Sequence, residues 1–263
     1  MQSGEHTIEV NGQRLHCRIG GADAGPLVMF SNSLLTDLSL WDSEEAALGK
    51  RCRILRYDQR GHGASSLPKA PCTFDQFADD AVAILDSLGI ESVILVGISM
   101  GAATAINLAA RYPTRLRGLV VCDVGSGSGP NGRALWDERF AYARAHGMDG
   151  LAEITVRRWF RPGAVDAALP GVEKARRMVA ATPLEGFVAA ANALQDFDLL
   201  PCLPRIRTRT LVMVGSHDGT LPEVMRTMSD AIAGAEFRVI PEAGHLINLE
   251  QPTPFHEALQ SFL

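Results

Sequence analysis

Val93-Ile-Leu-Val-Gly97-Ile98-Ser99-Met100-Gly101-Ala-Ala-Thr-Ala-Ile106 joins an apolar, β-branched run to a glycine-flanked serine and then to an alanine-rich helical segment. A serine between glycines is, on its own, an ordinary loop. Between a buried strand and a helix, the G-x-S-x-G spacing describes a turn that leaves the serine Oγ standing clear of a sheet edge. Such a turn strains the serine backbone and demands small residues two positions to either side. Gly97 and Gly101 meet that demand, and Ala102 keeps the first helical turn slim. The same helix start aims backbone N–H groups at the serine, so the Met100 N–H can serve a developing oxyanion.

Outward from this turn the chain alternates strand and helix patterns. Thr7–Val10 and Leu15–Ile19 alternate across Asn11-Gly12 as an opening hairpin. Pro26–Phe30, Cys52–Tyr57, Leu116–Cys122, Thr210–Val214 and Glu236–Ile240 read as further strands. Phe74 to Leu88 has a helical period and stops at Gly89, and Tyr112-Pro113 stops the helix after Ser99. The alternation lapses between Gly125 and Leu200, where helical patterns run near 133–146, 149–158, 172–181 and 184–195. The expected architecture is therefore α/β: a mostly parallel eight-stranded sheet flanked by helices, with a helical cap inserted after strand 6. The core would span residues 1–124 and 201–263 and the cap residues 125–200.

Composition bounds the function. The 263 residues are 46% hydrophobic and 21% charged with a net charge of −5, which offers no basic footprint for nucleic acid or an anionic membrane surface. No apolar run approaches a membrane span, and Met1–His6 lacks the order of a secretory signal. Cysteines 17, 52, 72, 122 and 202 stand singly, so a reducing, cytoplasmic location is expected, with Cys52 and Cys122 as inert core thiols. No cluster has metal-ligand spacing.

A serine hydroxyl needs a base within reach and an acid to orient that base. In sheets of this kind the order along the chain is serine, acid, histidine, the latter two on loops after late strands. Asp218 follows Thr210–Val214 in Gly215-Ser-His-Asp218, and His245 follows Glu236–Ile240 in Pro241-Glu-Ala-Gly-His245. His217 precedes the acid on the same loop and is poorly placed as the base. His62, in Arg60-Gly-His-Gly63, is expected to pack beneath the site. A second oxyanion donor should come from the loop after Phe30, at the same sheet edge.

Ser31-Asn-Ser-Leu-Leu-Thr-Asp-Leu-Ser-Leu-Trp41, Leu55-Arg-Tyr-Asp-Gln-Arg-Gly-His-Gly63, Gly97-Ile-Ser-Met-Gly101, Ala143-Arg-Ala-His-Gly-Met148, Arg158-Trp-Phe160 and Gly215-Ser-His-Asp218 together resemble the 3-oxoadipate enol-lactonases of the α/β-hydrolase superfamily. The resemblance runs from about residue 8 to the C-terminus and includes the helical insertion. It implies a cofactor-free hydrolase that opens 3-oxoadipate enol-lactone to 3-oxoadipate in protocatechuate or catechol catabolism. Ser99 would be the nucleophile, Asp218 the orienting acid and His245 the base, with the Leu34 and Met100 N–H groups as the oxyanion hole. Two positions depart from the family pattern: Leu35 and Ala102 stand where glycine is usual.

The expected partner is a small ester or lactone carrying a carboxylate, with no nucleic acid and no membrane; assembly into a homo-oligomer is left open. Candidates for contacting the substrate are Ser33, Leu35, Arg133, Trp136, Arg158, Trp159 and Leu246. Among the eight arginines between 133 and 177, Arg133 adjoins the glycine-rich exit from the sheet and Arg158 adjoins Trp159-Phe160. A carboxylesterase or a lactonase for another acid would keep the same three residues. A carbon–carbon bond hydrolase, a cofactor-free perhydrolase and a non-catalytic binding module are the remaining readings. A haloalkane dehalogenase would need a carboxylate at position 99.

Overall fold

The computed structural model describes residues 3–10 and 12–263. It opens on an antiparallel hairpin, β1 (Gly4–Val10) and β2 (Gln13–Gly21), in which Val10 faces Gln13. Of the expected Asn11-Gly12 turn, Asn11 lies outside the described residues and Gly12 has φ +74°. There follow β3 (Leu27–Ser31), α1 (Asp42–Leu48), β4 (Arg53–Tyr57), α2 (Phe74–Ser87), β5 (Val93–Ile98), α3 (Met100–Arg111) and β6 (Leu116–Cys122). Among the described residues eight strands form one sheet in the order β1-β2-β4-β3-β5-β6-β7-β8, with β7 at Thr210–Gly215 and β8 at Glu236–Ile240. From β4 to β8 every neighbour is parallel.

The strand sequences explain this layering. β3 and β7 are buried at every residue and β5 and β6 at all but one, which suits parallel strands covered on both faces by helices. β1 and β2 instead alternate between buried and exposed residues, as an antiparallel edge with one wet face should. Helix α2 starts with a capping box, in which the Thr73 hydroxyl accepts the Gln76 N–H and the Gln76 side chain accepts the Thr73 N–H.

Between β6 and β7 run α4 (Gly132–Trp159), α5 (Pro162–Asp166), α6 (Pro170–Ala181) and α7 (Leu184–Ala191). The two helical patterns expected on either side of residue 147 are stacked end to end in α4. Gly147 breaks the ladder between them at φ 72°, a conformation in which a side chain is strained. This excursion is closed at its foot. Gly127 and Asp198 form an antiparallel bridge, the Ser128 N–H donates to the Phe197 carbonyl at 3.0 Å, and the Phe197 N–H donates to Ser128 Oγ at 2.6 Å. Its helices lie over the carboxyl edge of the sheet: Gly186 touches Gly61 after β4, and the Ser39 hydroxyl, after β3, donates to Met178 Sδ. After β7 come α8 (Leu221–Asp230), β8, α9 (Ile247–Glu250) and α10 (Pro252–Phe262). The five cysteines are free thiols, and burial pushes Cys17 up to about 12 and Cys72 up to about 11. Among the described residues no helix is long and apolar enough to cross a membrane.

Candidate active site

The parallel register brings the ends of five strands side by side. Ser31 pairs with Gly97, Ile98 with Cys122, Cys122 with Met213, and Gly215 with Ile240. Residues one to five positions beyond these pairs therefore gather at one edge. They carry Ser33 to Leu35, Ser99, Asp123, Asp218 and His245, at the carboxyl ends where open α/β sheets hold their ligands.

Ser99 has φ 55° and ψ −117°, the strained turn expected from the sequence. Its N–H donates to the Cys122 carbonyl at 2.9 Å and its own carbonyl accepts the Ala103 N–H at 3.0 Å, so strand and helix both grip it. The glycines are required by contact. A Cβ on Gly97 would strike the Gly101 carbonyl, and one on Gly101 would strike the Ser31 carbonyl.

The serine hydroxyl donates to His245 Nε2 at 2.9 Å, and His245 Nδ1 donates to Asp218 Oδ2 at 2.7 Å. Burial pushes Asp218 up, yet its carboxyl lies below the ordinary aspartate value. The charge and hydrogen bond of His245, a hydrogen bond with Asp123 and the charge of Arg158 outweigh the burial. An ionised Asp218 holds the imidazole with Nε2 free to take a proton from Ser99. His217 is turned away, exposed and bonded to Ser216 Oγ at 2.8 Å.

Side-chain hydrogen bonds pin the loop after β3. Asn32 Nδ2 donates to the Tyr57 carbonyl and Asn32 Oδ1 accepts Trp41 Nε1–H, both at 2.8 Å. Leu35 has φ 66°, a position where glycine would be unstrained, and its N–H donates to His62 Nε2 at 3.0 Å. His62 is buried beneath the loop, as expected, and its Nδ1 donates to the Arg60 carbonyl at 3.2 Å. Among the described residues neither the Leu34 N–H nor the fully buried Ser33 Oγ has a partner. Met100, the first residue of α3, has no carbonyl one turn earlier to accept its N–H.

The insertion reaches His245 directly. The His245 N–H donates to the Trp159 carbonyl at 2.6 Å, and the two rings stack with centroids 6.1 Å apart. Trp159 and Phe160 are both buried, and Leu246 is completely buried at the start of α9. Trp136 packs with Phe140 and Phe187, each at 6.3 Å between centroids. Of the two favoured arginines, Arg133 is not gathered here. It is exposed and ion-paired with Asp196, with a second bond to Gln195. Arg158 is exposed, but its charge reaches Asp218. Two residues passed over in the sequence join the assembly. Arg139 is half-buried over the Trp136 ring at 4.9 Å and donates to Thr155 Oγ1, with no carboxylate partner among the described residues. Burial, then the nearby Arg158 charge, pulls Arg139 down to about 10. Asp123 lies against Asp218, and its place at the end of β6, level with Ser99 and Asp218, was the available signal.

Comparison with known proteins finds relatives over almost the whole chain. Residues 29–258 match the Alpha/beta hydrolase family. The chain is 34% identical to 3-oxoadipate enol-lactonase 2 of Acinetobacter baylyi over 94% of its length and 92% of the relative's. It is 33% identical to 3-oxoadipate enol-lactonase 1 of the same organism over 98% of its length and 97% of the relative's. The crystal structure of the enol-lactonase from Burkholderia xenovorans superposes with a TM-score of 0.92 at 35% identity, covering 98% of this chain and 99% of that one. With an eight-stranded sheet, a strained serine turn and full-length likeness to enol-lactonases, the chain belongs to the alpha/beta hydrolase family and is an ester hydrolase.

Proposed function

We propose that this enzyme opens the lactone ester of 3-oxoadipate enol-lactone through an acyl-enzyme on Ser99, with residues 125–200 as a cap over the site. The observation that carries the reading is the unbroken hydrogen-bonded chain Ser99–His245–Asp218 beside two unengaged N–H groups, Leu34 and Met100. Ser99 Oγ attacks the lactone carbonyl carbon while His245 Nε2 takes the hydroxyl proton. The carbonyl oxygen becomes an oxyanion held by the Leu34 and Met100 N–H groups. The ring C–O bond then breaks and His245 returns its proton to the departing enol oxygen. Because the leaving oxygen belongs to the same molecule as the acyl group, it stays tethered and must swing aside. Water, deprotonated by His245, then attacks the ester carbonyl and frees Ser99, and the enol becomes the ketone of 3-oxoadipate.

The substrate's own carboxylate must leave water and needs donors. Arg139, cationic and without an acidic partner among the described residues, and Arg158 beside it suit that task, and the Ser33 hydroxyl, also unpaired among the described residues, supplies a further donor on the loop after β3. Every step uses side chains and N–H groups of this chain, so chelators should leave turnover unchanged.

Steady-state kinetics on a panel of enol-lactones and p-nitrophenyl esters tests the reading. The acidic enol-lactone should be turned over best, and Ser99→Ala should lower kcat by several orders of magnitude. Arg139→Met and Arg158→Met distinguish the carboxylate contact. One of them should raise KM for the acidic lactone about tenfold or more while sparing a neutral ester, since a hydrogen bond to a charged group contributes roughly 1.5–3 kcal/mol. Equal losses on both substrates would place the carboxylate elsewhere, and an active Ser99→Ala would end the serine mechanism.

A further inference from the structure

The reaction above leaves a buried ionisable group beside Asp218 unused. Asp123 follows Cys122 at the end of β6, has no solvent exposure and takes φ 46°. Its N–H donates to the Met213 carbonyl at 3.1 Å, and its Oδ1 accepts the Gly215 N–H at 2.8 Å. Its Oδ2 has no donor from any described residue. Its carboxyl instead meets that of Asp218 at hydrogen-bond range.

Two ionised carboxylates cannot hydrogen-bond, because both only accept, and without water between them they repel strongly. One proton between them turns the contact into an O–H···O⁻ bond, among the stronger hydrogen bonds in proteins. Which residue keeps that proton follows from what each one faces. Asp218 faces the His245 Nδ1–H and the charge of Arg158, and both favour the carboxylate. Asp123 faces Asp218, the neighbouring Cys122 thiol and backbone, and one N–H from Gly215.

We infer that Asp123 is a neutral carboxylic acid in the folded enzyme, that it donates its proton to Asp218, and that it is thereby a positioning residue for the carboxylate that orients His245. Burial and the Asp218 charge push the Asp123 carboxyl well above its ordinary range, in the same direction. The pair then presents a single negative charge to His245. The second hydrogen bond on Asp218 stops its carboxylate rotating away from Nδ1 while the imidazole gains and loses its proton. Asparagine can fill the same role, offering its carbonyl to Gly215 and its amide to Asp218. The inference rests on the reading of Asp218 as orienting acid.

The test uses Asp123→Asn, Asp123→Ala and Asp218→Asn, with p-nitrophenyl acetate as the probe substrate. For Asp123→Asn, kcat should stay within about threefold of wild type and the acid limb of kcat/KM should move by less than about 0.3 pH unit, because a neutral group replaces a neutral group. An infrared band from a protonated carboxylic acid should be present in wild type at neutral pH and absent in Asp123→Asn. Asp123→Ala should lose kcat about tenfold or more with KM little changed, since the donor is gone but the pocket is not. If the acid limb in Asp123→Asn instead drops by about a pH unit or more, Asp123 was ionised and the inference is overturned. An Asp123→Ala enzyme as fast as wild type removes the positioning role. If Asp123→Ala fails to fold, the infrared band and the Asp123→Asn limb still decide. An active Asp218→Asn would overturn the reading of Asp218, while the infrared band would report on the Asp123 proton independently.

Discussion

His62 shows how one residue's burial sets a pH window for the whole chain. It is fully buried, accepts the Leu35 N–H, and burial pulls it down to about 4. An unfolded imidazole takes a proton near pH 6.5, so between about 6.5 and 4 the unfolded chain binds a proton that the folded chain refuses. Stability from this residue is complete above that window and is lost as pH falls through it, to a total of about 3 kcal/mol. Denaturant titrations across this range should show the decline in wild type and not in His62→Gln, whose amide oxygen can still accept from Leu35. The same decline in both proteins would assign it to other groups. The position of His62 under the site was legible from its glycine-rich turn. The Asp123 proton was not, because a strand-end aspartate before a glycine-rich segment reads as turn chemistry until the Asp218 carboxyl is seen against it.

At the scale of elements, the serine turn is a packing constraint between β3, β5 and α3. Gly101 lies so close to β3 that a side chain would meet the backbone carbonyls of Ser31 and Asn32, neither of which can swing aside. Gly101→Ala should therefore lower stability by about 2 kcal/mol or more and reduce activity with it, as strain in a packed core does. Thermal unfolding and kcat measured together would check this; an unchanged Tm would show that α3 can shift without harm. All eight strands were legible, because buried parallel strands read as unbroken apolar runs and the edge hairpin as alternation. The helices of the insertion were less so. Short α5, of 5 residues, carries too little periodicity to register, as does α9, of 4 residues, beyond the insertion. The break at Gly147 resets the helical phase within α4, so the sequence could not say which of its arginines face inward. The sequence favours Arg133 for its place after the glycine-rich exit from the sheet, yet it is an exposed partner of Asp196, whereas Arg139 lies over the Trp136 ring.

Across the whole molecule, the insertion and the base-bearing loop are tied together at the end of α4. Glu250, its side chain fully buried, accepts from the Gly244 N–H at 2.8 Å and from Arg161 Nε at 2.9 Å, next to the bond from the His245 N–H to the Trp159 carbonyl. Arg161→Met strands the Glu250 charge and frees the loop that carries His245. It should lower kcat about tenfold or more and Tm by several degrees, since leaving a buried charge unpaired is strongly destabilising. A variant with wild-type kcat would show that His245 is held by Trp159 alone. The foot of the insertion has a different consequence. β6 pairs directly with β7 beneath it, and the Gly127–Asp198 bridge brings its entry and exit strands together. Residues 125–200 thus leave and rejoin the sheet at one place, above the paired strands β6 and β7. Changes of length between Gly127 and Asp198 therefore need not disturb the β6–β7 register, whereas any change that displaces Trp159 or Arg161 would release the loop after β8.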